Sequence, residues 1–132
     1  MTASTSQQNG AYSEGAAYIG GEFVPIGEAK ISVLDWGFTR SDAVYDVVHV
    51  KDGRFFRLDD HLARFERSMA RRRIAIAEDR QAVKDILVRC VQLAGLTDSY
   101  VAMVASRGRP KVKGSRKPSD CANHLVCYAL PW

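Results

Sequence analysis

The sequence lacks the long apolar runs of a membrane protein: no stretch approaches the ~18 apolar residues of a spanning helix. Residues 1–15, MTASTSQQNGAYSEG, also lack a cationic start followed by an apolar core. They are therefore expected to be a flexible tail and not a signal peptide. Cysteine is scarce and unpatterned. Cys90, Cys121 and Cys127 are odd in number and show no Cys-x-x-Cys spacing, which argues against a disulfide frame or a zinc site. Buried, reduced thiols in a cytoplasmic protein are expected instead. Acidic residues are missing from 107–118, RGRPKVKGSRKP, a run of glycine, proline and cations expected to form a mobile surface loop.

The 132 residues, 46% hydrophobic, suffice for one core and not for two ordinary domains. The formal charge of +4 and pI near 9.1 invite an anionic partner. The cations, however, are shared among several segments, so a phosphate-bearing cofactor explains the bias as well as nucleic acid does, and no nucleic-acid partner is assigned. A nucleic-acid binder using 107–117 would show affinity that falls steeply with salt.

The most informative stretch is 41–65, SDAVYDVVHVKDGRFFRLDDHLARF. Val44 to Val50 fits a strand whose period of two places Tyr45, Val47 and His49 on one face and Val44, Asp46, Val48 and Val50 on the other. Asp52-Gly53 is a two-residue hairpin signal, because both residues tolerate positive φ. The chain should return over Arg54 to Leu58, and Asp59 then stands as N-cap of a helix carrying Leu62, Phe65 and Met69 at helical spacing. That helix is expected to run towards Arg73, with Glu66, Arg67, Arg71 and Arg72 on a solvated face.

Elsewhere, Gly20-Gly21 marks an opening hairpin and Pro25 limits its return strand. Lys30 to Leu34 is expected as a strand, and Asp35 to Phe38 as a loop in which Trp36 and Phe38 pack. Val83, Ile86, Leu87, Cys90, Val91 and Ala94 form the clearest apolar stripe, between Asp79 as N-cap and Gly95 as stop. Tyr100 to Ser106 reads as a strand, and His124 to Leu130 as a strand that pairs centrally. The expected fold class is α+β: an antiparallel sheet of about six strands with two helices packed on one face.

The run DWGFTRSDAVYDVVHVKDGRFFRLDDHLARF resembles the small-domain signature of the class IV aminotransferases, the fold-type IV pyridoxal-phosphate enzymes. It is most similar to their (R)-selective amine transaminase and D-amino acid aminotransferase branch. The resemblance covers roughly Ala16 to Trp132, implying one small domain over 16–132. It implies a transaminase that moves an amino group from an amine or amino acid (branched-chain, D-amino acid or (R)-amine) to a keto acid, and it leaves class IV lyase chemistry open. Pyridoxal 5'-phosphate is the implied cofactor, and a homodimer the implied assembly.

By the same resemblance Arg64 matches the arginine that grips the cofactor phosphate, a task suited to its fork; the plain alternative is a surface salt bridge to Asp60 or Glu66. Tyr45 and Val47 match walls of the substrate pocket, and Tyr100 an aromatic lining it, though each also fits ordinary packing. Arg40 stands where amine-transaminase relatives often carry histidine. Lys113 matches a basic residue that meets a substrate carboxylate, charge kept but fork lost.

No residue of this chain is expected to be catalytic, because the Schiff-base lysine would lie in a second domain beyond Trp132. Lys30, Lys51, Lys84, Lys111, Lys113 and Lys117 all lack the apolar setting that depresses a lysine pKa. His49 is read as a satisfied polar residue and no metal is assigned to it; His61, behind Asp59 and Asp60 in the first helical turn, is read as serving capping and packing as much as chemistry. A standalone non-catalytic module that binds a phosphate-bearing ligand or a protein is the alternative function.

Overall fold

The computed structural model describes residues 10–132. Most of the expected tail lies outside them, but Tyr12 already packs against the core and donates its hydroxyl to the Phe23 carbonyl. The elements run β1 (Ala16–Ile19), β2 (Glu22–Pro25), a single 3-10 turn (Ile26–Glu28) and a short helix α1 (Trp36–Thr39). Then follow β3 (Ala43–Lys51), β4 (Arg54–Phe55), α2 (Leu58–Arg72), α3 (Arg80–Ala94), β5 (Ser99–Pro110) and β6 (Cys121–Pro131). All strand pairings are antiparallel, in the order β2-β1-β6-β5-β3-β4. This is the expected α+β sheet, with α2 and α3 on one face.

Local chemistry explains the elements. Asp52 and Gly53 take φ of 52° and 76°, the left-handed pair that matches the twist of a tight hairpin. Asp79 caps α3 by accepting from the Ala82 amide at 2.8 Å, and Gly95 ends it at φ 65°. The α3 stripe Val83, Ile86, Leu87, Cys90 and Val91 meets Leu62 and Phe65 of α2 in the core. Beneath them the sheet contributes Val48, Val50, Val101, Met103, Leu125 and Cys127. On the opposite sheet face Tyr45, Val47, Tyr100 and Tyr128 are half-buried or exposed, and the short helix α1 lies at one end of that face beside Ser106. No helix of the described residues is long and apolar enough to cross a membrane.

Several boundaries depart from expectation. Lys30 to Leu34 forms no strand: it finds no neighbour to pair with, and Val33 and Leu34 are 68% and 58% exposed. Asp35 to Phe38 is not a loop but the capped start of α1, since Asp35 accepts from the Gly37 amide at 2.7 Å. The cap of α2 is Arg57 in a left-handed conformation, and Asp59 lies inside the first turn. The return strand shrinks to Arg54–Phe55. Finally, 107–110 is not mobile loop: β5 continues through a register shift to pair Arg109 with Ala122 and Pro110 with Cys121.

Candidate functional site

The loss of pairing along one side of β3 creates the site. β4 pairs only with Val50 and Lys51, and the Phe56 amide donates to the His49 carbonyl at 2.9 Å, so the 43–48 part of β3 is an open edge towards α2. Asp46 is nearly sealed there, at 4% exposure. A buried carboxylate must be matched, and three groups match it. The Val47 amide donates to Oδ1 at 3.0 Å, the His61 Nδ1 lies 2.7 Å from Oδ1, and Arg64 grips both oxygens. Arg64 donates from Nε to Oδ2 at 2.7 Å and from Nη2 to Oδ1 at 2.9 Å. Burial would push the Asp46 carboxyl up, but the Arg64 and His61 contacts outweigh it and hold the carboxyl below the usual range.

Arg64 is thus tied to neither Asp60 nor Glu66. Asp60 pairs with Arg57 and Glu66 with Arg80. The Arg64 side chain is nevertheless 61% exposed, and among the described residues its Nη1 makes no hydrogen bond. It is held at one side and free at the other, which suits a phosphate oxygen.

The three expected pocket walls share the open sheet face. Tyr45 is exposed, and Val47 and Tyr100 are half-buried. Tyr100 lies 6.3 Å from Tyr128 and 6.2 Å from Trp132 between ring centroids, and Trp132 stacks on His49 at 4.1 Å. Arg64 belongs to the helix side of β3, so a ligand touching both Arg64 and Tyr45 must wrap the open edge. Arg40 and Lys113 come together at a second place, the groove between α1 and the β5–β6 turn.

Two further networks anchor these places, and neither was foreseen. Asp35, 4% exposed, caps α1, accepts from the Ser106 hydroxyl at 2.5 Å and meets His124 Nε2 at 2.5 Å, so one carboxylate joins α1, β5 and β6. Arg107, 7% exposed, pairs with Asp42 at 2.8 Å and donates to the carbonyls of Arg72 and Arg73 at 2.6 and 3.0 Å. The C-terminus of α2 is thereby docked on β5, where a cation also suits the helix dipole. For Asp46 a signal did exist: a lone acid alternates with Val44, Val48 and Val50 on the apolar face, and such an acid needs partners.

The Amino-transferase class IV family matches residues 43–132, and the chain belongs to that family. A Methanocaldococcus jannaschii protein provisionally named a branched-chain-amino-acid aminotransferase is 29% identical over 115 residues, which cover 86% of this chain and 39% of that protein. D-alanine aminotransferase of Staphylococcus haemolyticus is 26% identical over 91 residues, covering 69% of this chain and 32% of its own length. A branched-chain amino acid aminotransferase from T.th., solved as its complex with N-(5'-phosphopyridoxyl)-L-glutamate, superposes with a TM-score of 0.80 at 24% identity, a likeness of fold. It matches 90% of this chain and 42% of that one, so the chain spans less than half the length of each of the three.

Proposed function

We propose that this chain is the N-terminal part of a pyridoxal-phosphate-dependent transaminase that passes an amino group from an amine or amino acid to a keto acid. The observation that carries the reading is Arg64, held by Asp46 at the open edge of β3, within the stretch matched by the family. Arg64 fits the cofactor phosphate because its charge is exposed and Nη1 is uncommitted. When bound, pyridoxal phosphate supplies an electron sink that weakens the bonds at the donor's amine-bearing carbon.

The chain's own residues bind and orient. Arg64 anchors the phosphate, Asp46 and His61 fix the direction of its fork, and Tyr45, Val47 and Tyr100 shape the space beside the reacting carbon. The amino-transferring lysine lies outside these 132 residues. Lys30, Lys51, Lys111, Lys113 and Lys117 are exposed, and Lys84 lies 3.5 Å from Asp59, so none has the dry setting of a nucleophilic amine. The complete enzyme is a cytoplasmic homodimer. The named relatives divide between branched-chain and D-alanine aminotransferases, so these donors are assayed first, beside an (R)-amine.

The test uses the protein from its native source, its intact mass read against 14.6 kDa. A larger mass, amino transfer to pyruvate or 2-oxoglutarate, and cofactor affinity lost on Arg64→Ala are expected. A native mass of 14.6 kDa with no amino transfer sinks the reading. Amino transfer at unchanged cofactor affinity in Arg64→Ala removes Arg64 from the phosphate.

A further inference from the structure

The strand register sorts the open face of the sheet into rows. One row runs Val47 on β3, Ala102 on β5, Tyr128 on β6, Ala17 on β1 and Val24 on β2, each residue opposite the next. The residues beside these alanines along the strands, Val101, Met103 and Ala16, belong to the core under α2 and α3, so Ala102 and Ala17 face the other way. They are nevertheless only 1% and 0% exposed. The largest side chain of the row, Tyr128, stands between them.

Three concavities of this face meet at Tyr128. It lines one of about 310 Å³ with Phe38 and Val104, one of about 440 Å³ with Tyr100 and Trp132, and one of about 210 Å³ with Ile26 and Ile31. Its ring lies 6.3 Å from that of Tyr100 between centroids, with the planes 26° apart. Burial, and then the Tyr100 phenol beside it, push the Tyr128 hydroxyl up, so the side chain stays neutral.

We propose that Tyr128 is a specificity-determining wall of the substrate pocket, closing it on the side opposite Tyr45 and Val47 and limiting the size of the donor's side group. The inference rests on the pocket proposed above from Tyr45, Val47 and Tyr100, none of which lies on β6. Val47 and Tyr128 stand two strand spacings apart, about 9–10 Å between backbones, and the only residue between them in the row is Ala102. A methyl group there makes a low floor, and the two phenols beside it close over that floor. An aromatic ring with two torsions is a stiff wall, so it sets a limit on size instead of yielding to a larger group. Without the ring, Ala102 and Ala17 would be uncovered and the three concavities would run together.

The deciding measurement is the ratio of kcat/KM for phenylalanine to that for alanine, in the enantiomer the complete enzyme accepts, with 2-oxoglutarate as acceptor. Tyr128→Val, which suits a strand, should raise the ratio by at least about tenfold, and Tyr128→Trp should lower it by about as much, the scale of a changed fit in an apolar pocket. Tyr128→Phe keeps the wall and should leave the ratio within about twofold of the wild type. A role in packing alone would slow both donors together and leave the ratio where it was. Should Tyr128→Val fail to fold, Tyr128→Leu and Tyr128→Trp carry the test.

A ratio unmoved by the smaller and the larger residue, or moved as far by phenylalanine as by valine, overturns the assignment while amino transfer itself goes on. No amino transfer by the wild-type enzyme refutes the function proposed above, and this assignment with it.

Discussion

Arg64 on α2 and Asp46 on β3 are joined by two hydrogen bonds, 2.7 Å from Nε and 2.9 Å from Nη2, although one side chain is 61% exposed and the other 3%. The buried partner therefore sets the position of the exposed one. Replacing Asp46 by Asn removes the charge that aligns the fork while keeping the size. Asp46→Asn should lower unfolding stability by about 1–3 kcal/mol, the cost of imperfectly satisfied buried polar groups. In the proposed enzyme it should also weaken cofactor binding without contact to the cofactor. Unchanged denaturation midpoint and unchanged Arg64 Nε chemical shift would show that Asp46 positions nothing.

Asp46 shares its situation with Asp35 and Asp42. In each, burial raises the carboxyl pKa, and hydrogen bonds from Ser106 and His124, from Arg107, or from Arg64 and His61 more than offset it, leaving the value below normal. A carboxyl whose folded pKa lies below its unfolded value stabilises the fold above the unfolded value, about 3.9, and loses that contribution as pH falls through the folded one. The urea midpoint should therefore drop as pH is lowered below about 4, and drop less steeply in Asp42→Asn. A midpoint that rises on acidification in that window contradicts the assignment.

What the sequence made legible was governed by neighbours close along the chain. Asp52-Gly53 demanded positive φ, and the chain turned there. The stripe from Val83 to Val91 needed only its own helix to become a buried face. Lys30 to Leu34 has strand-like alternation, but a strand exists only beside another, and nothing in those residues reports whether a sheet edge is free. The same blindness hid the networks of Asp46, Asp35 and Arg107. Their partners Arg64, His124 and Asp42 lie 18, 89 and 65 positions away, separations that only the folded chain closes.

Arg107 offers the sharpest mutational contrast. Its guanidinium serves Asp42 and two helix-terminal carbonyls at once, in a setting where its side chain is 8% exposed. Lysine carries the charge but not the planar fork. Arg107→Ala should destabilise by about 3–5 kcal/mol, because Asp42 is left part-buried with a weakened partner set. Arg107→Lys should recover less than half of that loss. Urea unfolding of both variants decides it, and a full rescue by lysine would show that charge alone matters.

Next to it, Gly108 holds φ at 80°, and a Cβ there would stand 1.9 Å from the Ala122 carbonyl oxygen. Both the backbone conformation and the approach of β6 exclude a side chain, and the obstructing atom is backbone that cannot swing aside. Gly108→Ala should therefore cost on the order of 2–3 kcal/mol, more than the usual strain of a left-handed alanine. The neighbouring positive-φ residue Gly114 has open space around its Cβ position and serves as the control. Equal denaturation midpoints for Gly108→Ala and Gly114→Ala would mean that β5 and β6 do not approach as closely as this.

Burial also governs the thiols. Cys90 and Cys127 are sealed in the core between α3 and the sheet, and Cys121 is 7% exposed at the start of β6. Burial pushes the Cys90 thiol up to about 12, raises Cys127 strongly and raises Cys121. Since the thiolate is the reactive form, Cys90 at pH 8 presents roughly one thiolate in ten thousand, and that fraction is walled off from reagent. Dithionitrobenzoate at pH 8 should find almost no fast thiol in the folded chain, with Cys121 reacting ahead of the other two. All three should react at once in denaturant. Prompt reaction of Cys90 in the native chain would mean that α3 opens on the timescale of the assay, so this order of reactivity also measures how firmly the helical layer stays on the sheet.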